Sequence, residues 1–332
     1  MPRFSRLQKG WALASVGVAF VLGAQAAPPD LSPVHAQALL TRAADHALLL
    51  GIASAGQALI AVGEHGVILR SADQGRTWQQ VASPTSVLLT AVSFIDAEHG
   101  WAVGHEGVIL ATQDGGQTWT LQHSADPAGK HKGSPLMGVW FRTAQTGLAV
   151  GAYGYVVRTD DGGKTWVDMD ASFPDPDGWH LNAIAAAATQ PDTVFVVGEK
   201  GQIFRSDDAG HVWQKLNSPT DASLFAVAEP APHELYVAGL GGSLYRSVDE
   251  GQTWTTLVTG TSNGLLGIAG RVDGRIVVVG NDGTVLSSRD HGGHFSLAIL
   301  PGRDHLTAVQ PRSGHGWIAV GQDGPHTLTP QS

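Results

Sequence analysis

The sequence predicts an all-β, seven-bladed β-propeller with four-stranded blades. Three observations carry that reading. An eight-residue pattern, S-x-D-x-G-x-T-W, stands at Ser71–Trp78 and returns at Thr112–Trp119, Thr159–Trp166, Ser206–Trp213 and Ser247–Trp254, with a degraded copy at Ser288–Phe295. Its aromatic position falls at 78, 119, 166, 213, 254 and 295, a period of 41 or 47 residues. A fixed period of that size is the mark of a repeat architecture. Between copies the apolar residues alternate, as in strands, and do not follow a helical period.

Each repeat reads as four strands in order. The first carries Leu-x-(Ala/Gly)-(Val/Ile), at Leu49, Leu89, Leu136, Leu181, Leu224, Leu265 and Leu306. The small residue that follows (Gly51, Ala91, Gly138, Ala183, Ala226, Gly267, Ala308) suits a strand crowded around a narrow axis. The second strand ends in glycine, at Gly63, Gly104, Gly151, Gly198, Gly239, Gly280 and Gly321. Two residues and usually a further Gly follow, which is a tight hairpin signature. The third strand runs into the Asp turn and the fourth follows its Trp. Seven such repeats fill Ala47 to Ser332.

The Asp pattern has the chemistry of a turn. Its short polar residues and Asp fold back onto backbone N–H groups, and its Gly takes a conformation costly for other residues. It resembles the Asp-box of bacterial-neuraminidase-type repeats. A residue present in every blade is expected to hold the blade together, not to catalyse. The seventh repeat stops short of that turn. The segment Gln37–Arg42 stands where a fourth strand would precede Leu49, and it is expected to pair into blade seven and close the ring. A short helix over Ala36–Leu40 is the competing reading.

Residues 1–26 read as a signal peptide: Arg3, Arg6 and Lys9, then an apolar run from Trp11 to Leu22, then Ala24-Gln25-Ala26. That run is shorter than the roughly 20 residues a spanning helix needs. Residues 27–46 are a leader with the closing strand, and 47–332 the propeller. The expected location is the periplasm or the exterior, with no membrane insertion. The chain has no Cys, hence no disulfide or thiolate chemistry, and a net charge of −9, which disfavours nucleic acid as a partner. A monomer without cofactor or metal is expected.

The candidate binding residues lie on the face formed by the hairpins between strands two and three and by the links between blades. They are Glu64, His65, His105, Glu106, Tyr153, Trp179, His180, Glu199 and Lys200. Two links are long, Gln122–Pro135 and Asp168–Trp179, and loops on a rigid scaffold are where binding residues concentrate. Arg70, Arg158, Arg205 and Arg246 share one position before the Asp turn. Pairing with a neighbouring blade's acid is one reading of them, and a lateral basic stripe for binding is the other. The metal signals, His65 and His105 beside Glu64 and Glu106, and Asp175-Pro-Asp177-Gly, lack a full ligand set.

The block Ala-Val-Gly-x-x-Gly-x-Ile-Leu-x-(Ser/Thr)-x-Asp-x-Gly-x-Thr-Trp, best at 61–78 and 102–119, resembles the photosystem II stability/assembly factor family. Phe94–Gly104 fits the same pattern. The resemblance implies a non-enzymatic scaffold on the lumenal or periplasmic side that binds a newly made membrane protein. The client is then an integral membrane complex of photosynthesis or another envelope complex such as an exporter. That family is associated with an arginine-rich patch, whereas this chain has 14 Arg, spaced as above. The alternative is a secreted glycoside hydrolase, sialidase-like or endoglucanase-like, drawing two carboxylates from Glu64, Glu106 and Glu199.

Overall fold

The computed structural model describes residues 32–169, 172–314 and 316–328. The signal-peptide reading of 1–26 lies outside the described residues. The propeller is as expected: seven antiparallel sheets, each with strands in sequence order. Blade one is β1 to β4 (Leu49–Ala55, Ala58–Gly63, Ile68–Ser71, Gln79–Val81) and blade two is β5 to β8 (Leu89–Phe94, Gly100–Gly104, Ile109–Thr112, Thr120–His123). Blade three is β9 to β12 (Leu136–Phe141, Gly147–Gly151, Val156–Thr159, Val167–Asp168). Blade four is β13 to β16 (Leu181–Ala186, Val194–Gly198, Ile203–Ser206, Gln214–Lys215). Blade five is β17 to β20 (Leu224–Ala228, Leu235–Gly239, Leu244–Ser247, Thr255–Thr256). Blade six is β21 to β24 (Leu265–Gly270, Ile276–Gly280, Thr284–Ser288, Ser296–Ile299), and blade seven is β25 to β27 (Leu306–Pro311, Trp317–Gly321, Gly324–Leu328).

The Asp turns are structural. Asp73 Oδ1 accepts from the Arg76 and Thr77 N–H groups at 3.0 and 2.9 Å, and Thr77 Oγ1 donates to Oδ2 at 2.6 Å. Ser71 Oγ accepts from the Gly75 N–H at 2.7 Å, where φ is +82°. Asp114 and Asp249 repeat the arrangement with Thr118 and Thr253. In the degraded copy His294 replaces that Thr, and its Nδ1 lies 2.8 Å from Asp290. The sheets pack face to face around the ring, and Trp119 and Trp213 are buried between them. Gly51 lies so close to the next inner strand that a Cβ would stand 3.0 Å from Ala91 Cα, which accounts for the small residues at that position.

Ring closure differs from the expectation. Among the described residues blade seven has three strands, and Gln37–Arg42 forms neither a strand nor a helix. It lies along the outer edge of blade one: the Ala38 N–H donates to Ser83 O at 3.2 Å, the Thr41 N–H to Gln80 Oε1 at 2.8 Å, and Gln80 Nε2 to Leu39 O at 2.9 Å. The physical reason is upstream. Pro33 O accepts from the Ser86 N–H and Thr85 Oγ1, which brings the chain in beside blade one. Blades seven and one meet through side chains instead. Thr307 Oγ1 donates to Leu49 O at 2.7 Å, Gln310 Nε2 to Ser54 Oγ at 3.0 Å, and Ile318 and Val320 pack against Leu49, Leu59 and Leu69.

The recurrent arginines join consecutive blades. Arg70 Nε donates to Gly115 O at 3.0 Å, Arg158 Nη1 to Ala209 O at 2.5 Å, and Arg205 Nη1 to Glu250 O at 3.4 Å. All three carbonyls belong to the residue after the Asp in the next blade's turn. Two of these guanidiniums are also paired: Arg158 with Asp160 and His211, Arg205 with Asp207 and Glu250. In blade five, Tyr236 Oη reaches the corresponding carbonyl, His291 O, at 2.9 Å, while Arg246 pairs with Glu234 at 3.0 Å. For Arg158 and Arg205 these bonds support pairing between blades, whereas Arg246 pairs within its own blade and its acid, Glu234, carries the contact on to His291 of blade six.

Two outcomes follow. The carboxylates of the Asp turns sit below the usual range because turn hydroxyls and N–H groups bind the ionised form; for Asp161 and Asp249 the value is about 2. A depressed native pKa gives stability that is present above the unfolded value, about 4, and lost as pH falls toward 2. Urea melts at stepped pH are expected to show little change in this contribution from pH 7 to 5 and a steep loss between about 4 and 2. Arg158 is 4% exposed; Arg158→Met is expected to cost about 2 kcal/mol in the same assay, through lost charged hydrogen bonds and an unpaired Ala209 carbonyl.

Candidate functional site

The hairpins between second and third strands share one turn conformation, closed by an N–H bond in six blades; in blade seven the closing position is Pro325, which has no N–H. In blade one His65 and Gly66 both have positive φ, 51° and 72°, and the Val67 N–H closes onto Glu64 O at 2.9 Å. That is a two-residue type I′ turn, which favours Gly, Asn or Asp at both central positions. The first central residue is His65, Glu106, Tyr153, Lys200, Gly241, Asp282 and Asp323 around the ring, and all seven have positive φ. In four blades, then, a long side chain stands where Gly or Asn is cheaper by about 1 kcal/mol. His65, Glu106, Tyr153 and Lys200 are exposed there on consecutive blades.

Two of the sequence-selected acids have a structural task. Glu64 Oε1 accepts from the Leu48 N–H at 2.9 Å, and Glu199 Oε2 accepts from the His180 N–H at 3.1 Å. Both fasten the hairpin to the link entering the same blade. Glu106 is exposed, and so is His105. Among the described residues no group of three or more His, Asp or Glu side chains is placed to hold a metal ion.

Tyr153, Trp179, His180 and Lys200 come together between blades three and four. The Tyr153 ring is 63% exposed and meets His180 edge-on, with centroids 4.7 Å apart. Lys200 Nζ lies over the Trp179 ring at 5.5 Å, and the Gly154 N–H donates to Trp179 O at 3.1 Å. The link behind them is anchored by Phe173, buried against Phe204 and Trp213 at 4.8 and 5.0 Å. Beside Tyr153 runs a groove of about 630 Å³ lined by Lys130, Phe173, Asp175 and Asp177. Burial raises the Asp175 carboxyl above its ordinary value, and its Oδ1 accepts from Gln202 Nε2 at 3.1 Å.

The other long link folds onto the same blade. Buried His131 stacks on Tyr155 at 4.0 Å, and His123 Nε2 lies 3.0 Å from Tyr155 Oη. From sequence, Tyr153, Trp179, His180 and Lys200 stand out as binding residues and Asp175 only as part of an incomplete metal pattern, while the supports Phe173, Gln202 and Tyr155 are given no role. An aromatic inside an inserted link, as Phe173 is, was the available signal. His65 and His105 stay on blades one and two and are not part of the aromatic cluster.

Arranged this way, the corner can bind. It offers aromatic faces, one ammonium, an imidazole and a groove, on links pinned to a rigid ring. The chain matches the model of the family described as photosynthesis system II assembly factor YCF48, over residues 70–214 and 131–295, which together cover more than half of it. No curated protein matches the chain. Among solved structures it is similar to YCF48 bound to a D1 peptide, at 21% identity and a TM-score of 0.67, covering 86% of this chain and 94% of that one. YCF48 from Cyanidioschyzon merolae is similar at 17% identity and a TM-score of 0.65, with 87% and 97% covered. A GH74 enzyme of Niastella koreensis shares the fold at 14% identity and a TM-score of 0.67, with 85% of this chain and 52% of that one covered. Matched by the family model over most of its blades, the chain belongs to the YCF48 family of photosynthesis system II assembly factors.

Proposed function

We propose that the chain is a non-enzymatic periplasmic scaffold that holds a segment of an integral membrane protein complex against the hairpin face of blades three and four. The observation that carries this is the corner itself. Tyr153 and Lys200 occupy turn positions that disfavour them, and the two long links converge on Tyr153's blade. Side chains retained at a conformational cost on an exposed surface fit a binding role. The family membership, and a YCF48 structure holding a D1 peptide, support a peptide-like client. The signal-peptide pattern of residues 1–26 supports delivery across the inner membrane. Against a hydrolase, Glu64 and Glu199 spend their carboxylates on backbone N–H groups.

The test is site-specific photocrosslinking in cells. A photoreactive residue at position 153 or 200 is expected to capture an integral membrane protein, whereas one at Arg76, in an Asp turn on the opposite face, is not. Adducts from position 76 alone, or from none of the three, overturn the reading. Tyr153→Asn and Trp179→Ala are each expected to cut recovery of that adduct roughly tenfold, the effect of losing an aromatic anchor. Tyr153→Asn is also expected to keep or raise stability in urea melts, because Asn tolerates the left-handed turn.

A further inference from the structure

The outer edge of a fourth strand offers unpaired backbone groups to another strand unless something blocks them. On blade one the chain's own segment 38–41 covers β4. The outer strands β12, β16 and β20 are two residues long, and β12 and β16 carry Asp168 and Lys215. β8 has four residues and ties its side chains inward, Gln122 Nε2 to Gly162 O at 3.0 Å and His123 to Tyr155 Oη.

β24 has none of these protections. It is Ser296-Leu297-Ala298-Ile299, paired with β23 without a break from Ser287↔Ser296 to Thr284↔Ile299. It holds no charge, Pro or Gly, and no bulge. Leu297 and Ile299 point to one face and are 41% and 40% exposed. Val248 and Val258 of blade five, 59% and 86% exposed, line a groove of about 590 Å³ with Phe295, the residue that leads into β24.

We infer that β24 is a self-association edge, on which a second copy of this chain pairs antiparallel about a two-fold axis through Ala298. The register follows from symmetry. A two-fold antiparallel pair is isologous, so residue i meets j and j meets i, and opposite residues must share a face. An axis through Ala298 pairs residues 297–299 of the two copies and sets Leu297 against Ile299 of the second copy twice, apolar against apolar. The other face receives the two Ala298 methyl groups at the axis, with Ser296 of each copy beyond them. No complementary sequence has to be supplied from elsewhere, which makes a second copy the occupant in place of an unrelated segment. Because strands run from one face of the propeller to the other, antiparallel pairing points the two hairpin faces in opposite directions and leaves both open. The dimer departs from the monomer expected from sequence, and it does not depend on what the hairpin face binds.

The chain contains no Cys, so a single introduced one reports the contact. Opposite Cα atoms in an antiparallel pair are about 4.5–5.5 Å apart, a distance that a disulfide spans. Ala298→Cys is expected to form a covalent dimer under mild oxidation, while Thr120→Cys, on the β8 edge, stays monomeric. Sedimentation of the purified unmodified protein is expected to show a concentration-dependent dimer. Leu297→Lys with Ile299→Lys is expected to raise its dissociation constant at least tenfold, with an unchanged melting temperature showing that the fold is intact. A protein monomeric at every concentration, or cysteine variants that crosslink equally, overturns the inference.

Discussion

One hydrogen bond, made seven times, sets the geometry that everything else uses. The residue after the glycine that ends each second strand donates its N–H to the carbonyl just ahead of that blade's inner strand: Glu64 to Leu48, His105 to Leu88, Ala152 to Pro135, Glu199 to His180, Leu240 to Ser223, Asn281 to Gly264 and Gln322 to His305, each at 2.9 Å. To reach it, the glycine backbone must lie against that carbonyl. A Cβ on Gly63 would stand 2.0 Å from Leu48 O, and one on Gly198 2.2 Å from His180 O. The need for glycine here is close approach, not a left-handed φ. The register shift near the start of every inner strand, as between Leu49 and Gly51, accompanies the same contact.

That bond fixes the hairpin relative to the link, and so fixes what the face can carry. The type I′ turn above it is held at both ends, which lets non-glycine residues occupy left-handed positions at about 1 kcal/mol each without the turn unravelling. A side chain placed there has its backbone direction decided for it. Glu64 and Glu199 add a second fastening by accepting the Leu48 and His180 N–H groups. The ring thus separates two kinds of residue at adjacent positions of one hairpin: the first holds the frame, and the second is displayed.

How much of this was legible in the sequence depended on whether a feature recurs. The seven blades, the glycines and the Asp turns repeat, so pattern alone gave them. Recurrence also pointed the arginines toward structure, although their acceptors, carbonyls in the next blade, have no sequence signature because a backbone oxygen looks the same everywhere. Single features were less legible. Gln37–Arg42 has the composition of an edge strand, but Pro33 and the Gln80 amide decide which edge it follows, and they act through contacts 39 to 53 residues away. The split of labour between Glu64 and His65, neighbours of similar polarity, depends on which carboxylate reaches a backbone N–H, and that is a matter of distance.

Charged contacts between blades cluster in one sector of the ring. The charged contacts that tie blade three to four, four to five and five to six contain Arg158 with Asp160, Arg205 with Glu250, and Arg246 with Glu234, and each also includes a histidine: His211, His233 and His291. These stand on the Asp-turn side of the sector whose opposite face carries Tyr153, Trp179 and Lys200. The Arg158 contact lies beneath the join of blades three and four, where the Tyr153–His180 and Lys200–Trp179 pairs form. An aromatic corner holds a partner only as firmly as the two blades beneath it hold each other, since a shift of about 1 Å between them would open the pair geometry. Apolar packing between sheets tolerates sliding, whereas a guanidinium bound to both a carboxylate and a carbonyl has direction and resists it. The buried arginine on one face and the exposed Tyr153 on the other are therefore two ends of one device, with stiffness supplied where display is needed.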